Sequence, residues 1–213
     1  MSDLQLNEPR LNYKTFYGKN TEQMPNLIAE GRTPLSVAGV MEARLNARNP
    51  EVKSRWVDNY FDTGDGVTYH PNGMIKLVRD AQSLREMNSK SQLRNGALVL
   101  PDGLYEKLEG LEFTRDDIKK YVGDALKSKD AKSNPLWQFL ARDQNLLNEY
   151  VDFVFAQAKQ RFDYDKNMGL YVRSEGEVPK DAATMRSWFV DWLGGGSGVV
   201  GWVGLDDSNG RLV

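Results

Sequence analysis

The sequence predicts an α+β fold in a single domain, on three observations. Apolar residues recur at helical spacing through much of 114–161. Two short β-favouring runs flank a Pro-Asn-Gly turn at 71–73, and no flexible linker divides the 213 residues. A chain of this length buries roughly 70% of its unfolded surface in one core and needs no staple. It has no cysteine to provide one.

Residues 1–30 are polar, with apolar positions at no clear period, and read as an extended N-terminal arm. The domain is then 31–213, within which 113–193 is rich enough in helix signals to form a subdomain. A helix is expected near 34–48, with Thr33 as cap, Pro34 in its first position and Leu35, Ala38, Met41 and Leu45 on one face. Pro50 lies past its end. "VTYH" and "MIKLV" around Pro71-Asn72-Gly73 predict an antiparallel hairpin near 66–78. A helix near 80–93 follows, with only Leu84, Met87 and Gln92 as its apolar stripe, then a short strand at "ALVL" and a Pro-Asp-Gly turn.

A helix near 114–127 is capped by Thr114, with Asp116 and Asp117 in its first turn and lysines late, an order that complements the helix dipole. Asn134 and Pro135 open a long helix over about 135–161, the expected central packing element, with 143–145 as its weak point. "GLYVR" reads as a short strand. Pro179 opens a helix near 179–193 that stops at the glycine run, and the chain finishes in a second antiparallel hairpin near 199–213, turning at "DSNG".

Composition excludes several functions. Without cysteine there are no disulfides, thiolate nucleophiles, zinc fingers or iron–sulfur clusters. A net charge of −2 gives no global field for a polyanion. No basic region followed by an apolar run opens the sequence. The least charged stretch, 187–205, contains Asp191 and six glycines, which argue against a membrane span. A soluble, cytoplasmic protein with no cofactor is expected.

The segment "FDTGDGVTYHPNG" concentrates the candidate chemistry. Asp58, Asp62 and Asp65 are the candidate ligands for a divalent cation, although their spacing is not that of an EF-hand. Asp62-Thr63-Gly64 has the Asp-Thr-Gly of aspartic proteases, whose chemistry needs a second carboxylate sharing a proton. "TGDGVTYHPNG" resembles the segment of adenylate-forming ligases in which Thr-Gly-Asp precedes a Pro-Asp-Gly turn, which would imply that Asp65 holds a nucleotide ribose. The resemblance covers about 20 residues; Asn72 replaces the usual aspartate, and no phosphate loop followed by lysine accompanies it. The plainer reading makes residues 62–66 a solvated turn entering the hairpin. His70, the single histidine, then simply flanks the turn.

The glycine run 194–201 follows an expected helix and precedes a strand, the reverse of a phosphate loop. Its neighbours Trp188, Trp192 and Trp202 are candidate partner-binding residues, because tryptophan is enriched where proteins anchor partners. Lys76, Arg79, Arg85, Lys90 and Arg94 form a candidate nucleic-acid-binding patch. The leading expectation is a non-catalytic protein-interaction or assembly module using the Trp/Gly-rich C-terminal segment, by partner binding or self-association. A carboxylate-based, metal-dependent enzyme using the Asp58/Asp62/Asp65 loop is the alternative, and nucleic-acid binding through 76–94 is third.

Overall fold

The computed structural model describes residues 4–7, 12–123 and 125–213. In chain order its elements are β1 (Phe16–Tyr17), α1 (Asn20–Ala29), α2 (Val37–Asn46), α3 (Pro50–Val57), β2 (Phe61–Tyr69), β3 (Met74–Val78), α4 (Gln82–Arg85), β4 (Leu93–Arg94) and β5 (Ala97–Val99). Then follow α5 (Leu104–Lys107), β6 (Leu111–Thr114), α6 (Arg115–Ile118), α7 (Ser128–Ser133), α8 (Pro135–Ala141), α9 (Gln144–Phe162), β7 (Leu170–Tyr171), β8 (Thr184–Val190), β9 (Val199–Val200) and β10 (Arg211–Leu212). The α+β class is as expected.

One mixed sheet organises the chain. Its main path runs β1-β10-β2-β8-β5-β4, with β3 and β6 continuing from β2, and β9 and β7 from β8. β2 and β8 form its centre and pair antiparallel. Because strand side chains alternate between faces, the sheet feeds two apolar clusters. Phe61, Val67, Tyr69, Ile75, Leu77, Trp188 and Val190 join the larger one under α2, α3, α8 and α9. Val78, Leu98 and Met185 join the smaller one with Met24 and Leu27 of α1 and Leu84 of α4.

Asparagine–proline pairs start two helices. Asn134 accepts from Leu136 N–H and Trp137 N–H ahead of Pro135. Asn49 does the same for Glu51 and Val52, so Pro50, expected beyond a helix, begins α3. The expected 34–48 helix starts later, at Val37, with Ser36 as cap in place of Thr33. The long helix is divided: Arg142 adopts a left-handed conformation, φ 66°, ending α8, and Asp143 caps α9 by accepting from Leu146 N–H.

Several expected elements differ. Residues 1–3 and 8–11 of the arm lie outside the described residues, and Asn20–Ala29 is helical, its buried face disguised by Asn20 and Thr21 beside Met24 and Leu27. The 80–93 helix is only the single turn α4. Beyond it Asn88 N–H bonds Ser91 Oγ and Lys90 N–H bonds Asn88 Oδ1, local bonds that compete with a helix. Thr114 caps as expected, yet α6 ends at Ile118, and Gly123 and Leu126 bridge Leu170 and Asn167 instead; residue 124 lies outside the described residues.

The 179–193 helix is the strand β8. Its residues are buried on both faces, so the polar alternation that marks a strand is missing, and Trp188 and Trp192 imitate a helical repeat. The C-terminal hairpin does not form either. Val199–Val200 pairs with β7 and β8, while β10 pairs antiparallel with β1 and parallel with β2.

The acidic segment before the first hairpin is not a solvated turn. All nine residues of β2 are buried. Between Asp62, opposite Phe189, and Gly66, opposite Ser187, the register shifts, so residues 63–65 face a single partner residue. The bulge is fixed on every side. Thr63 N–H donates to Ser187 Oγ (3.0 Å), and Thr63 Oγ1 donates to the Trp188 carbonyl (2.8 Å). Gly64 N–H donates to the Leu35 carbonyl, and the Gly64 carbonyl accepts from Ala81 N–H. A Cβ at Gly64 would lie 2.9 Å from Pro34 Cγ, so only glycine permits this approach.

Candidate functional site

The period of two along β2 sends Phe61 into the larger core and turns Tyr60 and Asp62 to the opposite face. The β2–β8 register sets Phe189 beside Asp62. Tyr60 and Phe189 stack with centroids 4.9 Å apart and planes at 26°. With Asp191, Arg173, Trp202, Asp207 and Asn209 they line a cleft of about 560 Å³.

The loop 201–210 forms one wall, and its main chain is held from outside. Tyr69 Oη donates to the Gly201 carbonyl (2.7 Å), and Gly201 N–H donates to the Tyr171 carbonyl (2.8 Å). Arg186 Nη1 donates to the Trp202 and Val203 carbonyls, and Nη2 to the Asn95 carbonyl. Leu205 N–H reaches the Gly96 carbonyl, and Tyr60 Oη donates to the Asn209 carbonyl. Burial lowers the Arg186 pKa to about 10, still charged at neutral pH. Gly201, Leu205 and Gly210 are buried, whereas Trp202 and residues 206–209 are exposed.

Asp62 lies at the cleft, 2% exposed, accepting from Arg211 N–H at 2.7 Å. Burial pushes its pKa up to about 6, against the opposing pull of the Arg211 N–H and the Asn20 amide. A raised native pKa means the folded state holds this proton more tightly than the unfolded chain. The associated stability is complete below about pH 4 and disappears as pH rises through about 6, a difference of about 3 kcal/mol at most. Asp62→Asn is therefore expected to gain on the native protein between pH 4.5 and pH 7.5 in urea unfolding, by about 1–3 kcal/mol. A difference between the two proteins that is constant with pH would show that this carboxyl does not titrate there.

The expected metal ligands are not brought together. Asp58 accepts from Ser54 Oγ and pairs with Arg161 at 2.7 Å. Asp62 faces Arg211 N–H. Asp65 accepts from Val37 N–H (2.8 Å), Asp80 N–H (2.9 Å) and Arg142 Nη2 (2.8 Å), with no exposed surface to offer a metal or a ribose. Among the described residues no three His, Cys, Asp or Glu side chains are grouped to hold a metal. His70 packs tilted against Tyr105, with ring centroids 4.6 Å apart, and its Nδ1 accepts from Asn72 N–H.

The basic residues of 76–94 are likewise dispersed. Lys76 is buried, donating to the Tyr105 and Leu108 carbonyls. Arg79 is held by the Phe139 carbonyl and ring, Arg85 pairs with Asp80, and Arg94 pairs with Asp181. Lys90 is exposed on a turn. No continuous cationic face results from these five.

Of the three tryptophans, Trp188 is completely buried and unavailable to a partner, because β8 turns it into the larger core. Trp192 and Trp202 are each 46% exposed, and Trp202 lines the cleft. Sequence reasoning missed Tyr60, Phe189, Arg173, Asp207 and Asn209. No local signal marks them, since strand pairing across more than 120 residues assembles the cleft. Among the described residues no helix is long and apolar enough to cross a membrane.

No family model and no curated protein matches the chain. Among solved structures it is similar to a chain described as "Accommodation of massive sequence variation in Nanoarchaeota by the C-type lectin fold", with TM-score 0.67 and 19% identity. The match covers 95% of this chain and 96% of that one. The fold is accordingly that of the C-type lectins.

Proposed function

We propose that this C-type lectin fold serves as a non-catalytic binding module whose partner, a protein, docks on the cleft walled by loop 201–210. The observation that carries the reading is the division of labour in that loop. Its main chain is anchored by Tyr69, Tyr171, Arg186 and Gly96, none of which belongs to it, while Trp202 and residues 206–209 are turned to solvent. Side chains so placed can be exchanged without loss of the frame. The neighbouring fold's described accommodation of sequence variation supports the same reading. Tyr60, Phe189 and Trp202 supply rigid aromatic area and Arg173 adds a guanidinium, residue types that protein interfaces favour.

The test compares the native chain with Trp202→Glu. The substitution is expected to leave the circular dichroism spectrum and unfolding midpoint in place. It should weaken capture of partners, or self-association seen by light scattering, by at least about tenfold, the scale of a central aromatic anchor. Capture that is equal for both proteins would end the reading. As a companion, libraries randomised at Trp202, Asp206, Asp207 and Asn209 should yield mostly folded members, and libraries at Arg186 mostly unfolded ones.

A further inference from the structure

A second cleft, of about 360 Å³, shares no lining residue with the first. It lies between the β2–β3 turn (His70 to Gly73), Arg115 at the start of α6, and the segment Val178-Pro179-Lys180. Its chemistry is the opposite of the first cleft's. Three basic side chains, His70, Arg115 and Lys180, line it, and among the described residues no aspartate or glutamate does.

The nearby carboxylates are committed elsewhere. Glu177 pairs with Arg173 and accepts from Ser174, Asp181 pairs with Arg94, and Glu112 accepts from Tyr105 Oη beside Lys76. Among the described residues only Glu106, largely in solvent, approaches the cleft's cations, 3.7 Å from His70 Nε2. Arg115 uses Nη1 to hold the Arg173 carbonyl at 2.8 Å, and its Nε is buried with no hydrogen-bond partner among the described residues. Neither Arg115 nor Lys180 has an ion-pair partner among the described residues. A guanidinium nitrogen shut away from water and left unbonded is costly, and a bound oxygen acceptor removes the cost.

We propose that this cleft is a second binding site, selective for an oxyanion: a carboxylate or a phosphate group. The planar donors of Arg115 match either oxyanion, and Lys180 adds a mobile point charge at the mouth. His70 has its Nδ1 occupied as an acceptor by Asn72 N–H, which leaves Nε2, 3.7 Å from Glu106, as the ring's donor. The site goes beyond the partner-binding reading of the first cleft and stands or falls separately from it.

Because His70 is the single histidine of the chain, its ring protons report on this cleft alone. The full chain is titrated at fixed pH and constant ionic strength with inorganic phosphate in one arm and acetate in the other, and sodium chloride serves as the reference. A saturable shift of the His70 resonance beyond that produced by chloride is expected. Saturation by phosphate alone assigns a phosphate group, and equal saturation by acetate assigns a carboxylate. Arg115→Gln is expected to weaken binding at least tenfold and Lys180→Gln severalfold. Lys180 is exposed and makes no hydrogen bond or ion pair among the described residues, so its variant keeps the test valid if Arg115→Gln does not fold. The proposal is overturned if neither anion exceeds chloride, or if Lys180→Gln binds as the native chain does.

Discussion

Asp65→Ala is expected to cost about 3–5 kcal/mol of folding stability, read as a lowered midpoint in urea unfolding. Its carboxylate is the single acceptor that joins three segments: the first N–H of α2, the N–H of Asp80 after the hairpin, and the guanidinium of Arg142 between α8 and α9. Removing it leaves two main-chain donors and a half-buried cation without this partner, and each buried orphan costs about 1–3 kcal/mol. Arg142 keeps its second partner, Asp80, at 2.7 Å, which sets the upper bound. Asp65→Asn retains one acceptor oxygen but turns an amide donor toward donors, so a loss of about 2 kcal/mol or more is expected. Asp58→Ala, on the surface by comparison, should lose no more than about 1 kcal/mol. Should Asp65→Ala unfold at the native midpoint, the account of the bulge is wrong.

Arg44 carries the second large effect. It is 1% exposed, and among the described residues no carboxylate is a hydrogen-bond partner of it. Its guanidinium donates to the carbonyls of Trp56 (3.0 Å), Asn59 (2.9 Å) and Asp191 (2.8 Å) and to Tyr150 Oη (2.6 Å). These partners come from the end of α3, the link to β2, the exit of β8 and the middle of α9, so one side chain ties the helical layer to the sheet. Arg44→Met fills much of the volume but orphans the carbonyls, and a loss of about 4 kcal/mol or more follows. Arg44→Lys keeps the charge with three donors in place of a planar fork and should recover part of it. Because Asp191 also lines the first cleft, Arg44→Lys is expected to weaken partner binding more than its stability loss alone would. A methionine variant as stable as the native protein would show that the carbonyls find other donors.

The legible parts of this chain are those whose instructions are local. Asn134-Pro135 names the start of its helix through local contacts, because the cap and the proline act on the next turn alone. Pro71-Asn72-Gly73 names its hairpin for the same reason, with Gly73 at φ 90°. Asn49-Pro50 carries the same instruction as Asn134-Pro135, but the helix expected before it makes its proline look like an ending. The candidate site was less legible. Trp202 stood out by its type, but Trp188 has the same type and is interior. Asp62 and Asp65 have turn-forming composition, and donors from Val37, Asp80, Arg142 and Arg211, all at least 15 residues away in sequence, hold them in the strand.

By itself the sequence determined the α+β class, the helix starts at Thr114 and at Asn134-Pro135, the first hairpin, and the absence of any thiol chemistry. The tertiary structure alone decided that "FDTGDGVTY" is a buried strand, that "TMRSWFV" is its partner, and that Tyr60, Phe189 and Trp202 share a cleft. The physical reason is range. Caps and turns are satisfied within a few residues, whereas a buried carboxylate or a two-sided strand is stable only when distant segments supply the donors and the apolar cover it needs.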